Sequence, residues 1–254
     1  MFSGDYHTHT KYSDGKGSVT ENALAAKARG LKEIAVTDHG FHLFRKGLKK
    51  YLRLKADCEE ASAQTGVKVI AGAEADVFSL QGELDLSEKE LAAVDYLVAG
   101  FHKFAPPKSC SDFFKMYFVT FFNGLLPTSK KAKERNTAAL IAAVKRYPIK
   151  VLAHLNHSLK ADVGAVAKAC AEKGVLVEIN AKHLKDFCGQ WEALAKSGAL
   201  FVVNSDAHKP RDVGVLEAAF EKAVPKDAVD AKAFSAALPL SARSVMFSTP
   251  LRSL

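Results

Sequence analysis

No two cysteines in this chain have the C-x-x-C spacing of a redox or zinc motif, and only Cys58, Cys110, Cys170 and Cys188 occur in 254 residues. That scarcity points to reduced thiols and a cytoplasmic setting rather than a disulfide scaffold. No run of about 18 uninterrupted apolar residues is present, which argues against a membrane-spanning helix. The first residues, Met1 to Asp5, have neither a basic stretch nor an apolar core, so no signal peptide is expected. Internal repeats and low-complexity linkers are also lacking. H-E-x-x-H and G-x-S-x-G do not occur, which argues against zincin proteases and serine hydrolases. Gly15-Lys16-Gly17-Ser18 lacks the G-x-x-x-x-G-K spacing of a nucleotide loop.

What is present is an ordinary globular composition, 48% hydrophobic and 25% charged with mixed signs, which excludes disorder as the main state. The length suits one large α/β domain or two small ones. Lys and Arg number 36 against 28 Asp and Glu, a net charge of +8, and the sequence pI is about 9.2. The excess favours an anionic partner without choosing between nucleic acid and a small phosphate.

Short apolar runs at 34–37, 67–71, 96–99, 150–153, 175–179 and 200–203 read as strands, with a first strand over 4–9. Helical patterns fall between them at about 19–29, 46–64, 87–93, 129–146, 161–173, 190–197 and 212–222. Gly30, Gly66, Gly174 and Gly198 stand where helix C-caps are needed. Near-continuous apolar strands alternating with helices imply a parallel sheet covered by helices. Seven such units predict an α/β fold closed as a β/α barrel; the alternative is an open doubly wound sheet. The expected organisation is a single domain over 1–254, with a core at about 5–210 and a C-terminal helical segment at 211–254. Residues 103–128 break the rhythm. Phe113, Phe114, Tyr117, Phe118, Phe121 and Phe122 recur at helical spacing, near Lys103, Lys108 and Lys115. This stretch is expected to be a helix packed on the barrel or a lid insertion over its mouth; a membrane-surface helix is the weaker alternative.

In a β/α barrel the functional residues sit at the C-terminal ends of the strands. Here nearly every predicted strand runs into a residue able to bind metal. His7 and His9 share one face at i and i+2, about 7 Å apart at Cα. Asp38 and His39 are adjacent, so one of them faces the site and the other away. Glu74, His102, His154, Asp206 and His208 end later strands, and Asp14 follows the first. Six of the nine histidines fall in this layer, too many for coincidence. His42, His157 and His183 fall outside it and read as exposed or core histidines. Asp38, Glu178 and Asn180 are candidates for orienting ligands or lining the pocket. Lys103, Lys182, Lys209 and Arg211 closely follow strand ends and are candidates for holding a substrate phosphate.

His7-Thr8-His9-Thr10 with Ser13-Asp14-Gly15, Thr37-Asp38-His39-Gly40, Gly72-Ala73-Glu74, Gly100-Phe101-His102, Ala153-His154, Glu178-Ile179-Asn180 and Ser205-Asp206-Ala207-His208 together resemble the PHP (polymerase and histidinol phosphatase) family. The resemblance spans residues 5 to about 210. It implies a distorted (β/α)7 barrel and a metal-dependent phosphoesterase with three divalent ions, for which zinc, manganese and iron suit the mixed ligands. By that resemblance one metal takes His7, His9, Glu74 and Asp206. A second takes Glu74, His102 and His154, with Glu74 bridging. A third takes Asp14, His39 and His208; without Asp14 a two-metal site would remain. Glu74, His39, Asp206 and His208 are the expected catalytic residues.

Three divalent ions against the three carboxylates leave a strongly positive site that attracts a phosphate dianion. The implied reaction is attack of a metal-activated hydroxide on a phosphate monoester, with histidinol phosphate as one candidate substrate. The runner-up is a phosphodiesterase or 3′–5′ exonuclease on nucleotides or nucleic acid, which the net charge favours. Amidohydrolase chemistry shares the His-x-His start but fits Glu74 and the terminal Asp-x-His less well. A metal-binding module without activity is the non-enzyme alternative. The expected partner is a small phosphorylated substrate, with no membrane; the sequence does not give the oligomeric state.

Overall fold

A computed structural model describes residues 2–40, 47–118, 120, 128–187 and 189–216. Seven strands form one parallel sheet in sequence order: β1 (Gly4–Thr8), β2 (Glu33–Val36), β3 (Lys68–Asp76), β4 (Tyr96–Gly100), β5 (Val151–Leu152), β6 (Leu176–Asn180) and β7 (Phe201–Asn204). The helices between them are α1 (Val19–Ala28), α2 (Gly47–Thr65), α3 (Glu88–Ala93), α4 (Lys130–Arg146), α5 (Val163–Lys173) and α6 (Trp191–Lys196). The sheet curls into a nearly closed barrel, as expected from the alternation of strands and helices. At the seam Thr8 bridges Ala207, and His9 N donates to Ala207 O at 2.8 Å. Side chains hold the rest of it: Asn204 Oδ1 accepts from Tyr6 N at 3.0 Å, and Asp5 accepts from Ser205 N and Oγ.

Local chemistry sets the helix ends. Ser18 and Glu21 form a reciprocal capping box at α1, and Ser87 and Glu90 repeat it at α3. Asp162 caps α5, which ends at Gly174 with φ 68°, a left-handed conformation that favours glycine. Of the segment expected as a helix at 212–222, Asp212 ends the 3-10 turn Pro210–Asp212, residues 213–216 are not helical, and residues from 217 onward lie outside the described residues. None of the described helices is long and apolar enough to cross a membrane.

Strand alternation divides the core. Ala35, Tyr96, Val98, Val151, Ala153 and Val202 form an inner cluster, plugging the barrel. Outward residues such as Leu97, Ala99, Val177, Ile179, Phe201 and Val203 pack under the helices. The inward face of β3 continues through Gly72, Glu74 and Asp76, because β3 runs on to Asp76 instead of ending at Glu74. The β1/β2 register shifts between Asp5 and Thr8. Such an irregularity re-aims side chains: Tyr6 joins the inner cluster, while His7 and His9 turn to the mouth.

The described part of 103–128 is not one regular helix. A short turn, Cys110–Asp112, widens into a π-helical stretch, Phe113–Phe118. The wider turn splits the aromatic residues between two faces. Met116 and Tyr117 are buried, with Tyr117 against Phe101 at 4.9 Å, whereas Phe113, Phe114 and Phe118 are exposed. Phe121 and Phe122, like His42 and Cys188, lie outside the described residues.

Candidate metal centre

Glu74 sits at the middle of the barrel mouth, 1% exposed, with five imidazoles around its carboxylate. Oε2 lies 3.2 Å from His7 Nε2, 3.5 Å from His9 Nε2 and 3.0 Å from His39 Nδ1. Oε1 lies 2.7 Å from His154 Nε2 and 3.5 Å from His102 Nε2. Asp206 Oδ1 closes one side, 3.3 Å from His9 Nε2 and 3.9 Å from His7 Nε2. Asp14 closes another, with Oδ1 3.6 Å from His39 Nε2 and Oδ2 3.1 Å from His208 Nε2. The structure thus gathers all nine residues singled out from the strand ends. It groups the ligand atoms of eight of them within 4.8 Å as His7, His9 and Asp206; His39, Glu74 and His102; and His9, Asp14, His39 and His208, while His154 joins through its contact with Glu74 Oε1.

The backbone supports this crowding. His154 and Asp206 hold positive φ values of 31° and 51° just beyond β5 and β7, unusual for residues with side chains. Gly100 leaves the room that His154 occupies: a Cβ there would lie 2.4 Å from His154 Cε1 and 3.1 Å from Glu74 Oε1.

A layer of buried polar groups orients the histidines. Glu178 is fully buried; its Oε1 meets His7 Nδ1 at 2.7 Å and accepts from Asn204 Nδ2 at 3.0 Å. Its Oε2 accepts from His154 N and from Asn180 Nδ2, both at 2.9 Å. Asp76 Oδ1 lies 2.8 Å from His102 Nδ1. Asp38 points away from the imidazoles of the site and accepts from Thr10 N, Thr10 Oγ1 and Ser13 Oγ, tying the loop after β1 to the end of β2. Asp76 and Asn204 were not singled out in the sequence. Asp76 carried a readable signal, because it stands two residues after Glu74 on the same face of a strand.

The four candidate cations part company. Lys182 Nζ lies 2.9 Å from His208 Nδ1 and 3.5 Å from Asp206 Oδ1, at the rim of the site. Lys103 places its ammonium over the Phe104 ring. Arg211 leans towards Asp212 at 3.8 Å, and Lys209 is exposed.

Burial alone would push the carboxylates up, but the imidazoles reverse it. His102, His7 and His39 hold Glu74 well below its usual range, and His7 and His9 do the same for Asp206. Burial opposes charge on His39, yet Glu74 and Asp14 raise it to about 10. Burial and the neighbouring His39 keep His9 well below the ordinary imidazole range. Burial and the charge of Asp76 push Asp85, behind His102, up to about 7.

The residues fit divalent cations. Among the described residues, Glu74 Oε2, His9 Nδ1 and Asp14 Oδ1 are buried and find no partner with hydrogen-bond geometry. A buried polar atom left unsatisfied costs about 1–3 kcal/mol. For Glu74 Oε2, with three imidazole nitrogens converging on it, a shared cation removes that cost. Mixed imidazole and carboxylate donors suit zinc, manganese or iron.

Residues 5–182 match the family model of the PHP domain. Over 235 residues the chain is 30% identical to a probable phosphatase of Thermoanaerobacter sp. (strain X514), covering 85% of this chain and 83% of that one. It is 28% identical over 236 residues to probable phosphatase YcdX of Escherichia coli (strain K12), with the same coverage. Among solved structures, histidinol phosphate phosphatase of Lactococcus lactis, complexed with zinc, L-histidinol and phosphate, aligns at TM-score 0.59 and 17% identity over 87% of this chain and 94% of that one; that likeness is one of fold. The chain belongs to the PHP domain family.

Proposed function

We propose that this protein is a metal-dependent phosphatase that hydrolyses a small phosphate monoester at a centre of three divalent ions. The observation that carries the reading is the convergence of His7, His9, His39, His102 and His154 on the single buried carboxylate of Glu74. The curated relatives named probable phosphatases support it. The ligand sets are His7, His9, Glu74 and Asp206; Glu74, His102 and His154; and Asp14, His39 and His208. Divalent ions bound there would lower the pKa of water towards 7 and neutralise charge on the phosphoryl oxygens. The chain's own residues do the positioning. Glu178 fixes the ring of His7 and Asp76 that of His102, so that each presents its other nitrogen to Glu74. Lys182, beside Asp206 and His208, offers an ammonium to a phosphate oxygen of the substrate. Histidinol phosphate is the first substrate to try, given the L-histidinol and phosphate in the Lactococcus lactis structure.

A second reading, phosphodiester or single-strand processing, draws on the exposed Phe104, Phe113, Phe114 and Phe118 beside Lys103 and Lys115. Turnover of a nitrophenyl phosphate monoester against the matching bis-ester, on one manganese-loaded preparation, separates the two. The phosphatase reading expects the monoester to be favoured about tenfold or more, a difference above roughly 1.4 kcal/mol in barrier. Preference for the diester overturns it and moves the substrate search to oligonucleotides.

A further inference from the structure

Beyond the Glu74 centre, a second group of metal-competent side chains stands on the far side of His154. His157 comes from the loop after β5. His183 and Asp186 come from the segment after β6, where Leu184–Phe187 forms a 3-10 turn. The two imidazoles stack with centroids 3.6 Å apart and planes at 30°. Asp186 Oδ2 lies 2.7 Å from His157 Nδ1. One ligand atom from each of the three residues falls within 4.8 Å of the others. Both rings stand edge-on to His154, at 6.2 and 6.3 Å.

The two loops are built to hold this arrangement. Asn156 takes a left-handed backbone at φ 68°, donates through Nδ2 to Asp186 O at 2.8 Å and accepts at Oδ1 from Ala161 N. Lys160 donates to Asn156 O and stands 3.6 Å from Asp186 Oδ1, the carboxylate oxygen turned away from the His157 contact. All three residues are partly exposed, with the His157 side chain 39% and the Asp186 side chain 18% accessible, so an ion can enter from solvent.

We propose that His157, His183 and Asp186 form a separate site for one first-row divalent cation of the zinc class. A simple His–Asp pair accounts for one imidazole only. Stacked imidazoles repel if both are protonated, whereas two neutral rings and a carboxylate can direct their lone pairs to one cation. Two histidines and one carboxylate are a familiar zinc ligand set that keeps a coordination position open. Such a cation adjoins the Glu74 centre at His154 and gives the mouth of the barrel a second electrophilic point, suited to an anionic group remote from the scissile phosphate. The inference does not depend on the Glu74 centre being catalytic.

The test counts metal and needs no turnover. Chelator-stripped protein is titrated with Zn2+, and bound metal is counted by mass spectrometry after desalting; Co2+ substitution, read by visible absorption, provides a second signal. The variants are His157→Ala/His183→Ala and the near-isosteric Asp186→Asn, each made alone and in a Glu74→Gln background, with circular dichroism to check folding. The double variant is expected to bind one equivalent fewer than the parent. Asp186→Asn is expected to weaken that equivalent at least about 10-fold, and Glu74→Gln alone is expected to retain it. Equal stoichiometry and affinity with and without these three side chains would overturn the proposal. Failure of the phosphatase reading would appear instead as absent turnover with this equivalent still bound.

Discussion

Glu74→Gln is expected to lower phosphomonoester turnover by about 10³-fold or more, since loss of a metal's contribution is worth several kcal/mol of barrier. The substitution keeps the size of the side chain and removes its charge. In the native protein Oε1 faces His102 and His154, and Oε2 faces His7, His9 and His39. An amide cannot serve both groups, because one of its two ends becomes a donor that cannot bind a cation. Metal analysis of the same preparation is therefore expected to show loss from the ions that Glu74 shares, with the helical signal in circular dichroism unchanged. A variant with full metal content and undiminished rate would remove Glu74 from its bridging position.

Glu178→Gln is expected to weaken metal binding at the centre by about 10–100-fold, the usual effect of losing a partner that orients a ligand. Glu178 touches no phosphate in this reading; it acts through His7 and through the chain at His154. Donors occupy both of its oxygens: Asn204 Nδ2 and the His7 ring at one, His154 N and Asn180 Nδ2 at the other. Whichever way a glutamine amide is turned, its NH2 group meets a donor. The measurement is turnover as a function of added Mn2+ or Zn2+. A positioning role moves the metal dependence to higher concentration and recovers most of the rate at saturation. A rate that stays low at every metal concentration, with the fold intact, would show that Glu178 does more than orient His7.

The strand ends made most of this centre legible. The i, i+2 spacing of His7 and His9 placed both on one face, and both meet Glu74. The adjacency of Asp38 and His39 required one to turn away, and it is Asp38 that turns to Thr10 and Ser13. The barrel followed from apolar runs alternating with capped helices. What could not be read were contacts distant in sequence and decided by closure of the barrel. Glu178 was visible as a polar residue at a strand end, but its bond to His7 joins residues 171 apart and forms only because closure of the barrel brings β6 and β1 to either side of β7. The position of Lys182 against His208 depends on loop geometry that carries no periodic signal. The aromatic stretch misled for a physical reason: i, i+4 spacing implies one face of a regular helix, and the π-helical turn at Phe113–Phe118 divides it. His157 and His183 read as bland when taken singly, because the partner that gives them meaning, Asp186, lies in a turn with no strand-end signature.

The most direct test of the central claim is phosphomonoester turnover, with metal content, measured on one preparation before chelation, after chelation and after reloading with Mn2+ or Zn2+. The expected result is a fall of at least about 100-fold in the stripped protein, followed by recovery as ions return to the Glu74 centre. A stripped protein that hydrolyses the monoester at its original rate, with the metal gone, would contradict it.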